Sequence, residues 1–456
     1  MGGGIAGLSA ALRVKTRWPE AEVTVLEGSA EVGGKLRLAT VGGINVDVGA
    51  ESMLARRPEG IDLARDIGLD ALVIAPLTTA ARVRAGGAAH PLPARTMMGI
   101  PADVDAARAS GALSEQALRR IAAEPAADPL PPFDDDVTVG RLVRSRLGDE
   151  VADRLVEPLL GGVYAGRSDD LSLRATMPAL AQRLRDGGSL VHAAQAVTDT
   201  GTHDPAVGPV FASLEGGLGS LPAAVVAAGG FAVRTGMTVR AIRRTPTGFA
   251  LDCGPVPEPE LVEAEAVIVA TPAAKSAMLL RDVAPNAAAE LRGVNSASMA
   301  ITTLAFRDVR LPAGSGLLVG ATEGFGVKAV TLSSQKWPLE TDGLTLLRAS
   351  VGRAGENHLL QRADDELIAL VRHELRALIG VDVEPVDALV TRWGGGLPQY
   401  GLGHVERVAR VRAAVAAVPG LAVCGAAYDG VGIPACIGSA QAAADQVLAA
   451  LAVRGE

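Results

Sequence analysis

The chain begins with MGGGIAGLSAALRVKTR (residues 1–17), which is followed by the apolar segment EVTVLE (residues 22–27). Gly2, Gly4 and Gly7 fit the pattern G-x-G-x-x-G. In this pattern the first glycine makes a tight turn, the second admits a pyrophosphate to the backbone, and the third lets helix and strand pack closely. Glu27 ends the apolar segment, where a carboxylate can accept hydrogen bonds from both hydroxyls of an adenosine ribose. The order of glycines, helix, strand and acid predicts a dinucleotide site, and the acidic side chain argues against a 2′-phosphate.

One part of this pattern is missing from the sequence. Met1 stands immediately before Gly2, so no apolar strand runs into the first glycine. That strand would be central in a doubly wound sheet and buried on both faces. We therefore hypothesise that the natural protein carries several more apolar residues upstream, and we expect weak retention of the dinucleotide without them.

Composition limits the classes of protein and partner. A chain of 456 residues is too long for one core and suggests two or three domains. The net charge of −8 and a pI near 5.4 argue against binding to nucleic acid or to an anionic membrane surface. No apolar stretch reaches the roughly 18 residues of a membrane span, and no signal peptide opens the chain. We therefore expect a cytoplasmic protein without a transmembrane segment.

The reactive side chains form no recognisable catalytic set. Cys253, Cys424 and Cys436 have no C-x-x-C spacing, which favours buried thiols over a disulfide framework or a zinc site. The six histidines are scattered, and G-x-S-x-G, H-E-x-x-H and kinase motifs are absent from the sequence. No metal site is predicted and no side chain is assigned a catalytic role. A flavin oxidoreductase fits this pattern, because its cofactor performs the hydride chemistry.

Periodicity and composition change along the chain and predict its organisation. Residues 82–92 resemble a hairpin with a Gly-Gly turn, helical patterns follow, and residues 187–210 resemble a linker or mobile loop. The apolar run AVIVATP (266–272) predicts a buried strand. The predicted fold class is α/β and α+β, with a Rossmann-like cofactor domain, a mixed substrate-binding lobe and a helical insertion. These units are assigned, in that order, to residues 1–80 with 206–274 and 386–456, to 81–89 with 275–385, and to 90–205.

Separate motifs carry a resemblance to a known family. The chain resembles the amine-oxidase-type FAD superfamily at Gly2–Gly7, Glu27, GGK (33–35), GAES (49–52), AVIVATP (266–272) and GAAYDGVGIP (425–434). More narrowly, it resembles the protoporphyrinogen and coproporphyrinogen III oxidase family at VEPLLGGVYAG (156–166), SSQKW (333–337), VGRAG (351–355) and PQYGLGH (398–404). This likeness extends from residue 2 to about residue 447.

The resemblance implies a cofactor and a reaction. FAD would be held in an extended pose, and coproporphyrinogen III would be oxidised to coproporphyrin III in haem biosynthesis, with six electrons passed to dioxygen and hydrogen peroxide formed. The family's FAD contacts fall on Gly2, Gly3, Gly4, Ile5, Ala6, Gly7, Glu27, Gly28, Lys35, Gly49, Ala50, Glu51, Ser52, Val239, Trp393, Val431, Gly432 and Ile433. Val239 is expected on a strand, where its backbone could meet adenine. Trp393 is expected against the isoalloxazine.

The substrate's propionates require cations in the pocket, and arginine can bind a carboxylate through two hydrogen bonds. Arg82 and Arg84 are the predicted substrate-binding residues, and the choice among them and Arg56, Arg57, Arg348 and Arg353 stays open. Coproporphyrinogen has four propionates where protoporphyrinogen has two. The acidic, aromatic-poor region 90–205 favours the more polar substrate.

Three alternatives remain open at this point. The first is a protoporphyrinogen IX oxidase, and the second is an amine oxidase or carotenoid-desaturase-like flavoenzyme. The third is a flavin- or porphyrin-binding protein without turnover. The expected partners are the porphyrinogen and dioxygen, with handover of the porphyrin to a ferrochelatase as a further hypothesis. The sequence does not indicate an oligomeric state.

Overall fold

The computed structural model describes residues 1–132, 135–200 and 208–455. It contains short strands spread along the chain and two long strands near its C-terminal third. The strands are β1 Thr24–Leu26, β2 Leu38–Val41, β3 Ile44–Asp47, β4 Met53–Leu54, β5 Val73–Ile74, β6 Ala81–Ala85, β7 Ala88–Pro91, β8 Thr96–Met97, β9 Ile100–Pro101, β10 Phe211–Leu214, β11 Ala232–Arg234, β12 Ala241–Arg244, β13 Phe249–Cys253, β14 Glu260–Ala264, β15 Val267–Val269, β16 Ser296–Arg307, β17 Gly316–Val319, β18 Val327–Thr331, β19 Leu344–Val351, β20 Asp387–Pro398 and β21 Leu421–Val423.

Helices separate many of these strands and dominate residues 104–199. The helices are α1 Ile5–Arg17, α2 Pro58–Asp66, α3 Val104–Ser110, α4 Glu115–Ala123, α5 Val139–Leu147, α6 Asp149–Val151, α7 Glu157–Tyr164, α8 Leu173–Thr176, α9 Pro178–Leu184, α10 Leu190–Asp199, α11 Leu221–Gly229, α12 Ala273–Leu280, α13 Pro285–Arg292, α14 Ser333–Lys336, α15 Asn357–Leu360, α16 Asp364–Ile379, α17 His404–Ala416 and α18 Ile433–Gly455.

Two parallel strand pairs meet at the start of the chain. β1 pairs with β11, and β15 pairs with β21. The Met1 amino group donates to the Ile268 carbonyl at 2.9 Å. The amide of Gly2 donates to Leu26 O at 2.8 Å, and that of Ala270 to Met1 O at 2.9 Å. Met1 and Gly2 thus connect the pairs at the carboxyl ends of β1 and β15, and a cavity of about 790 Å³ lies beside these strands. This edge carries the glycine turn.

The first and last helices pack against each other beneath this turn. Ile5 and Leu8 of α1 share a buried cluster with Ile437, Ala440 and Val447 of α18. Among the described residues, α18 is the one helix long and apolar enough to cross a membrane by length and composition, with a mean hydropathy of 1.3 over Ile433–Val453. Its packing against α1 is that of a core helix, which passes the same test.

A seven-stranded sheet forms the second large unit. Its order is β20-β16-β19-β18-β17-β6-β7, and its neighbours are antiparallel except for the parallel pair β17 and β6. The predicted hairpin is present as β6 and β7, with Gly86 and Gly87 at positive φ in the turn. β20 pairs with β16 although the predicted cofactor domain included residues 386–456. The division into domains stays a prediction.

The helical region has its own buried cluster, in which Val143, Leu155, Leu160 and Leu190 are fully buried. Gly148 follows the last residue of α5 and has a φ of +96°. A π-helical turn follows over Ala152–Val156. The linker prediction is wrong over α10, whose apolar face is buried and whose first turn is capped by Ser189. Residues 201–207 of the predicted linker lie outside the described residues.

Candidate functional site

The glycine turn has the shape expected of a phosphate cradle. Gly2 has a φ of +95°, in the left-handed region that favours glycine. A methyl group built on Gly7 would lie 1.9 Å from the Gly2 carbonyl oxygen, so only glycine permits this approach of helix and strand. A methyl group built on Gly4 would meet no atom within 4 Å. The backbone at Gly4, where α1 begins, therefore faces open space.

Glu27 lies directly beside this turn. Its Oε2 accepts a hydrogen bond from the Gly3 amide at 2.6 Å, and its Oε1 accepts from the Ser29 amide at 2.8 Å and hydroxyl at 2.6 Å. A carboxylate has about four acceptor positions, so Glu27 retains capacity for ligand hydroxyls. The side chain is only half-buried, as a ribose contact requires.

Val239 lies close to Glu27 but not on a strand. It precedes β12, and the Met237 amide donates to the Glu27 carbonyl at 2.8 Å. The residues on either side of Val239 form backbone hydrogen bonds. The Gly254 amide donates to the Thr238 carbonyl at 3.1 Å, and the Arg240 amide donates to the Asp252 carbonyl at 2.8 Å. Among the described residues, no hydrogen bond is found for the Val239 amide or carbonyl. The free amide and carbonyl of Val239 could therefore form hydrogen bonds with the edge of an adenine ring, although Val239 does not lie on a strand as expected.

A second group of predicted contacts meets at the edge of the seven-stranded sheet. The Ala50 amide donates to the Lys35 carbonyl at 3.0 Å. The indole nitrogen of Trp393 donates to Val48 O at 3.1 Å, and a methyl group on Gly49 would lie 3.2 Å from the Trp393 ring. Trp393 therefore packs on the 48–50 segment, and the Lys35 backbone also lies against Gly49.

Glu51 and Ser52 continue this segment, and Glu51 forms two ion pairs that attach the segment to the rest of the protein. Its two carboxylate oxygens bind Lys336 Nζ and Arg348 Nη1, each at 2.6 Å. The two cations hold the pKa of Glu51 at about 2 although its burial opposes ionisation. Arg348 also donates to the Gly49 carbonyl. Arg348, left open as a propionate partner, is thus already bound to Glu51 and the backbone.

The third group is the start of α18. The first amides of an α-helix lack intrahelical partners, so the Ile433 amide is available to a ligand. Val431 and Gly432 directly precede the helix. Gly425, which precedes this loop, approaches Ala6, since a methyl group on it would lie 3.8 Å from the Ala6 Cβ. The loop therefore lies beside the start of α1.

Tyr400 fixes this loop, a role that sequence reasoning missed. Its hydroxyl donates to Ala426 O at 2.5 Å and accepts from the Gly430 amide at 2.9 Å. Its ring stacks on His404 at 4.0 Å between centroids. Burial lowers the pKa of His404 to about 4, so this imidazole is neutral at pH 7. The motif PQYGLGH (398–404) marks Tyr400 and His404 in the sequence. It does not indicate that Tyr400 binds Ala426 and Gly430.

The predicted substrate arginines lie elsewhere. Arg82 and Arg84 are on β6, five strands from β20 and so about 24 Å away at the usual spacing. Arg82 donates to Ala89 O at 2.7 Å, and Arg84 pairs with Glu323 at 3.8 Å and lies over the Phe325 ring. The structure does not bring these two arginines to Trp393.

The three groups of residues fit an extended FAD. Open backbone at Gly4 suits the pyrophosphate, Glu27 and Val239 suit the adenosine, and the segment around Gly49 with Trp393 and the α18 amides suits the flavin end. The three cysteines are free and buried, as predicted. Among residues 1–132, 135–200 and 208–455, no cluster of three His, Cys, Asp or Glu side chains could hold a metal ion.

Comparisons with known proteins agree with this fit. Residues 5–448 match the family of flavin-containing amine oxidoreductases. The chain is 37% identical to the coproporphyrinogen III oxidase of Mycobacterium tuberculosis H37Rv, over 99% of this chain and 97% of that protein. It is 31% identical to the Bacillus subtilis coproporphyrinogen III oxidase, over 98% and 97%. A crystal structure named "Putative protoporphyrinogen oxidase", from Exiguobacterium sp. 255-15, superposes with a TM-score of 0.86 at 33% identity and covers 99% and 98%.

These findings confirm the predicted fold class and the flavin cofactor. The individual contact residues, including Ile5, Gly28 and Ser52, stay predictions.

Proposed function

The chain belongs to the flavin-containing amine oxidoreductases, in the protoporphyrinogen and coproporphyrinogen III oxidase family, and we propose that it oxidises coproporphyrinogen III to coproporphyrin III. In this reaction six electrons and six protons leave the macrocycle, and three dioxygen molecules become three hydrogen peroxide molecules. The main structural support for FAD binding is the open backbone at Gly4 beside the Glu27 carboxylate. The substrate is proposed from full-length similarity to coproporphyrinogen III oxidases.

The chain's own contribution is position. Bound FAD supplies the hydride and oxygen chemistry. Glu27 and the free Val239 backbone would orient the adenosine, and the amides at the start of α18 would polarise the flavin end. Trp393, held by its bond to Val48, would pack against that end. The hydrogen bonds of Tyr400 to Ala426 and Gly430 would hold the loop before α18 in place beside these groups.

Three finer points are proposed with this function. Dioxygen is the electron acceptor, the reaction takes place in the cytoplasm, and the porphyrin passes to a ferrochelatase. A protoporphyrinogen IX oxidase is the second candidate, because the Exiguobacterium structure is named a "Putative protoporphyrinogen oxidase" and superposes over nearly the whole chain.

The proposal is tested by comparing substrates with the FAD-loaded protein. We expect kcat/KM for coproporphyrinogen III to exceed that for protoporphyrinogen IX by at least about tenfold, a difference of ~1.4 kcal/mol in transition-state stabilisation. Three hydrogen peroxide molecules should form per coproporphyrin. A preference for protoporphyrinogen IX would favour the second candidate, and turnover of simple amines alone would contradict both.

A further inference from the structure

The seven-stranded sheet contains a buried lysine that has no hydrogen-bond partner in the part of the chain that the structure describes. Lys328 of β18 is 3% exposed, and among the described residues its Nζ has no hydrogen-bond partner. Arg353, also 3% exposed, and Glu356 are the charged side chains that act on it. A buried ammonium without a counter-charge is costly, so this position calls for an explanation.

The carboxylates in this cluster are already engaged by arginines. Glu356 binds Arg167 Nη2 at 3.0 Å and Arg353 Nη1 at 3.4 Å, and Glu157 lies 3.8 Å from Arg167. Arg353 also donates to the carbonyls of Val319 at 3.0 Å and Phe325 at 3.2 Å. Lys328 therefore leaves the cluster with an excess positive charge.

The backbone around this cluster is irregular on both sides. The register between β18 and β19 shifts between Val327 and Ala329, which puts Lys328 in a β-bulge. The π-helical turn Ala152–Val156 leads into α7, and α7 contacts β17 and β18. Ala165 follows α7 with a φ of +50°, and its carbonyl accepts from Ala354 at 2.7 Å. Bulges, π-turns and left-handed non-glycine residues are enriched at functional sites.

The cluster also lies within reach of the flavin end. β18 is three strands from β20, or about 14 Å at the usual spacing. Trp393 pairs with Met299, and the next row of the sheet contains Ala300, Val351 and Val327. Val327 is thus one row beyond Trp393, and Lys328 lies in the bulge immediately after Val327. A tetrapyrrole with peripheral propionates spans a distance of this order.

We propose that Lys328 binds a carboxylate of the porphyrinogen, which supplies the counter-charge that the protein lacks at this position. The inference rests on the proposed function. Glu356 and Glu157 balance the charges of Arg353 and Arg167, so the excess positive charge stays at Lys328, and a charge-assisted hydrogen bond to Lys328 would fix the orientation of the macrocycle. Opening of the contact between α7 and β18 would admit the carboxylate.

The protonation of Lys328 links binding to pH. Burial, together with the neighbouring Arg353, lowers the pKa of Lys328 to about 7. A lysine with a lowered folded pKa destabilises the fold fully below that pKa, and the cost disappears as pH rises toward the ordinary value. Below pH 7 the ammonium is present to bind a carboxylate, whereas at pH 9 it must first be protonated.

The test compares wild type, Lys328→Met and the exposed-lysine control Lys275→Met in FAD-loaded protein. The readout is binding of the fluorescent products coproporphyrin III and protoporphyrin IX, which requires no turnover. We expect Lys328→Met to weaken coproporphyrin III binding by at least about tenfold at pH 6.5 and by less at pH 9. Lys275→Met should bind as wild type does.

A melting experiment on the same proteins distinguishes binding from structure. Lys328→Met should melt at the same temperature as wild type or higher at pH 6.5, with the difference shrinking by pH 9. Unchanged coproporphyrin III affinity in Lys328→Met, or a loss of affinity that is equal at the two pH values and accompanied by a lower melting temperature, would overturn the inference. Failure of wild type to bind either porphyrin would instead count against the proposed function.

Discussion

Replacing Gly4 with alanine is expected to weaken FAD binding by at least about 100-fold (~2.8 kcal/mol) while leaving the apoprotein nearly as stable as wild type. The methyl group would project into open space, since no protein atom lies within 4 Å of it. The residue has a φ of −75°, which alanine adopts freely, and at this N-cap the exchange should cost no more than about 1 kcal/mol. The space it fills is where the pyrophosphate is expected. FAD titration of apoprotein and thermal melting measure the two effects.

Gly7→Ala is the matched control for Gly4→Ala. Its methyl group would lie 1.9 Å from the Gly2 carbonyl oxygen, so the helix must move. We expect the apoprotein itself to lose about 1–3 kcal/mol of stability, as in overpacked cores. If Gly4→Ala bound FAD like wild type, the pyrophosphate would not lie at this turn.

Glu51→Gln is expected to lower the free energy of unfolding by about 3–5 kcal/mol, because it leaves Lys336 and Arg348 without their buried counter-charge. The pKa of Glu51 lies at about 2, below its ordinary 4.5. The stabilisation is therefore complete above pH 4.5 and is lost as pH falls toward 2, at up to about 1.4 kcal/mol per pH unit. Urea unfolding at several pH values measures this.

Glu59→Gln provides the surface comparison for Glu51→Gln. Glu59 pairs with Arg57, whose side chain is 44% exposed, and such pairs contribute about 0–1 kcal/mol. Arg57 lowers the pKa of Glu59 at this exposed pair, so we expect Glu59→Gln to lose only a small part of the wild-type acid sensitivity. A loss below about 1 kcal/mol for Glu51→Gln would show that the ion triad does not hold this segment.

The local parts of the site could be predicted from sequence. The glycine turn and Glu27 lie within 27 residues, and their chemistry fixes their spacing along the chain. The hairpin of β6 and β7 was predictable for the same reason, since its turn glycines and flanking strands are adjacent. Such patterns depend on neighbouring residues alone.

Contacts between distant segments could not be predicted in this way. Trp393 and Val48 are 345 positions apart, and their bond depends on where β20 lies in the sheet. The same strand order separates Arg82 and Arg84 from β20, although cationic residues on a strand looked suitable for propionates. The composition of residues 187–210 suggested a linker, yet Leu190, Val191 and Ala194 bury one face of α10.

Bound FAD is expected to take electrons directly from coproporphyrinogen III. The direct measurement is anaerobic mixing of FAD-loaded protein with coproporphyrinogen III, followed by the visible absorbance of the flavin and of the porphyrin. We expect the one FAD of each chain to be bleached by two electrons, so that at most one coproporphyrin forms for every three flavins reduced, and we expect oxygen to restore the flavin colour. Flavin that stays oxidised in the presence of coproporphyrinogen III would show that FAD is not the electron acceptor.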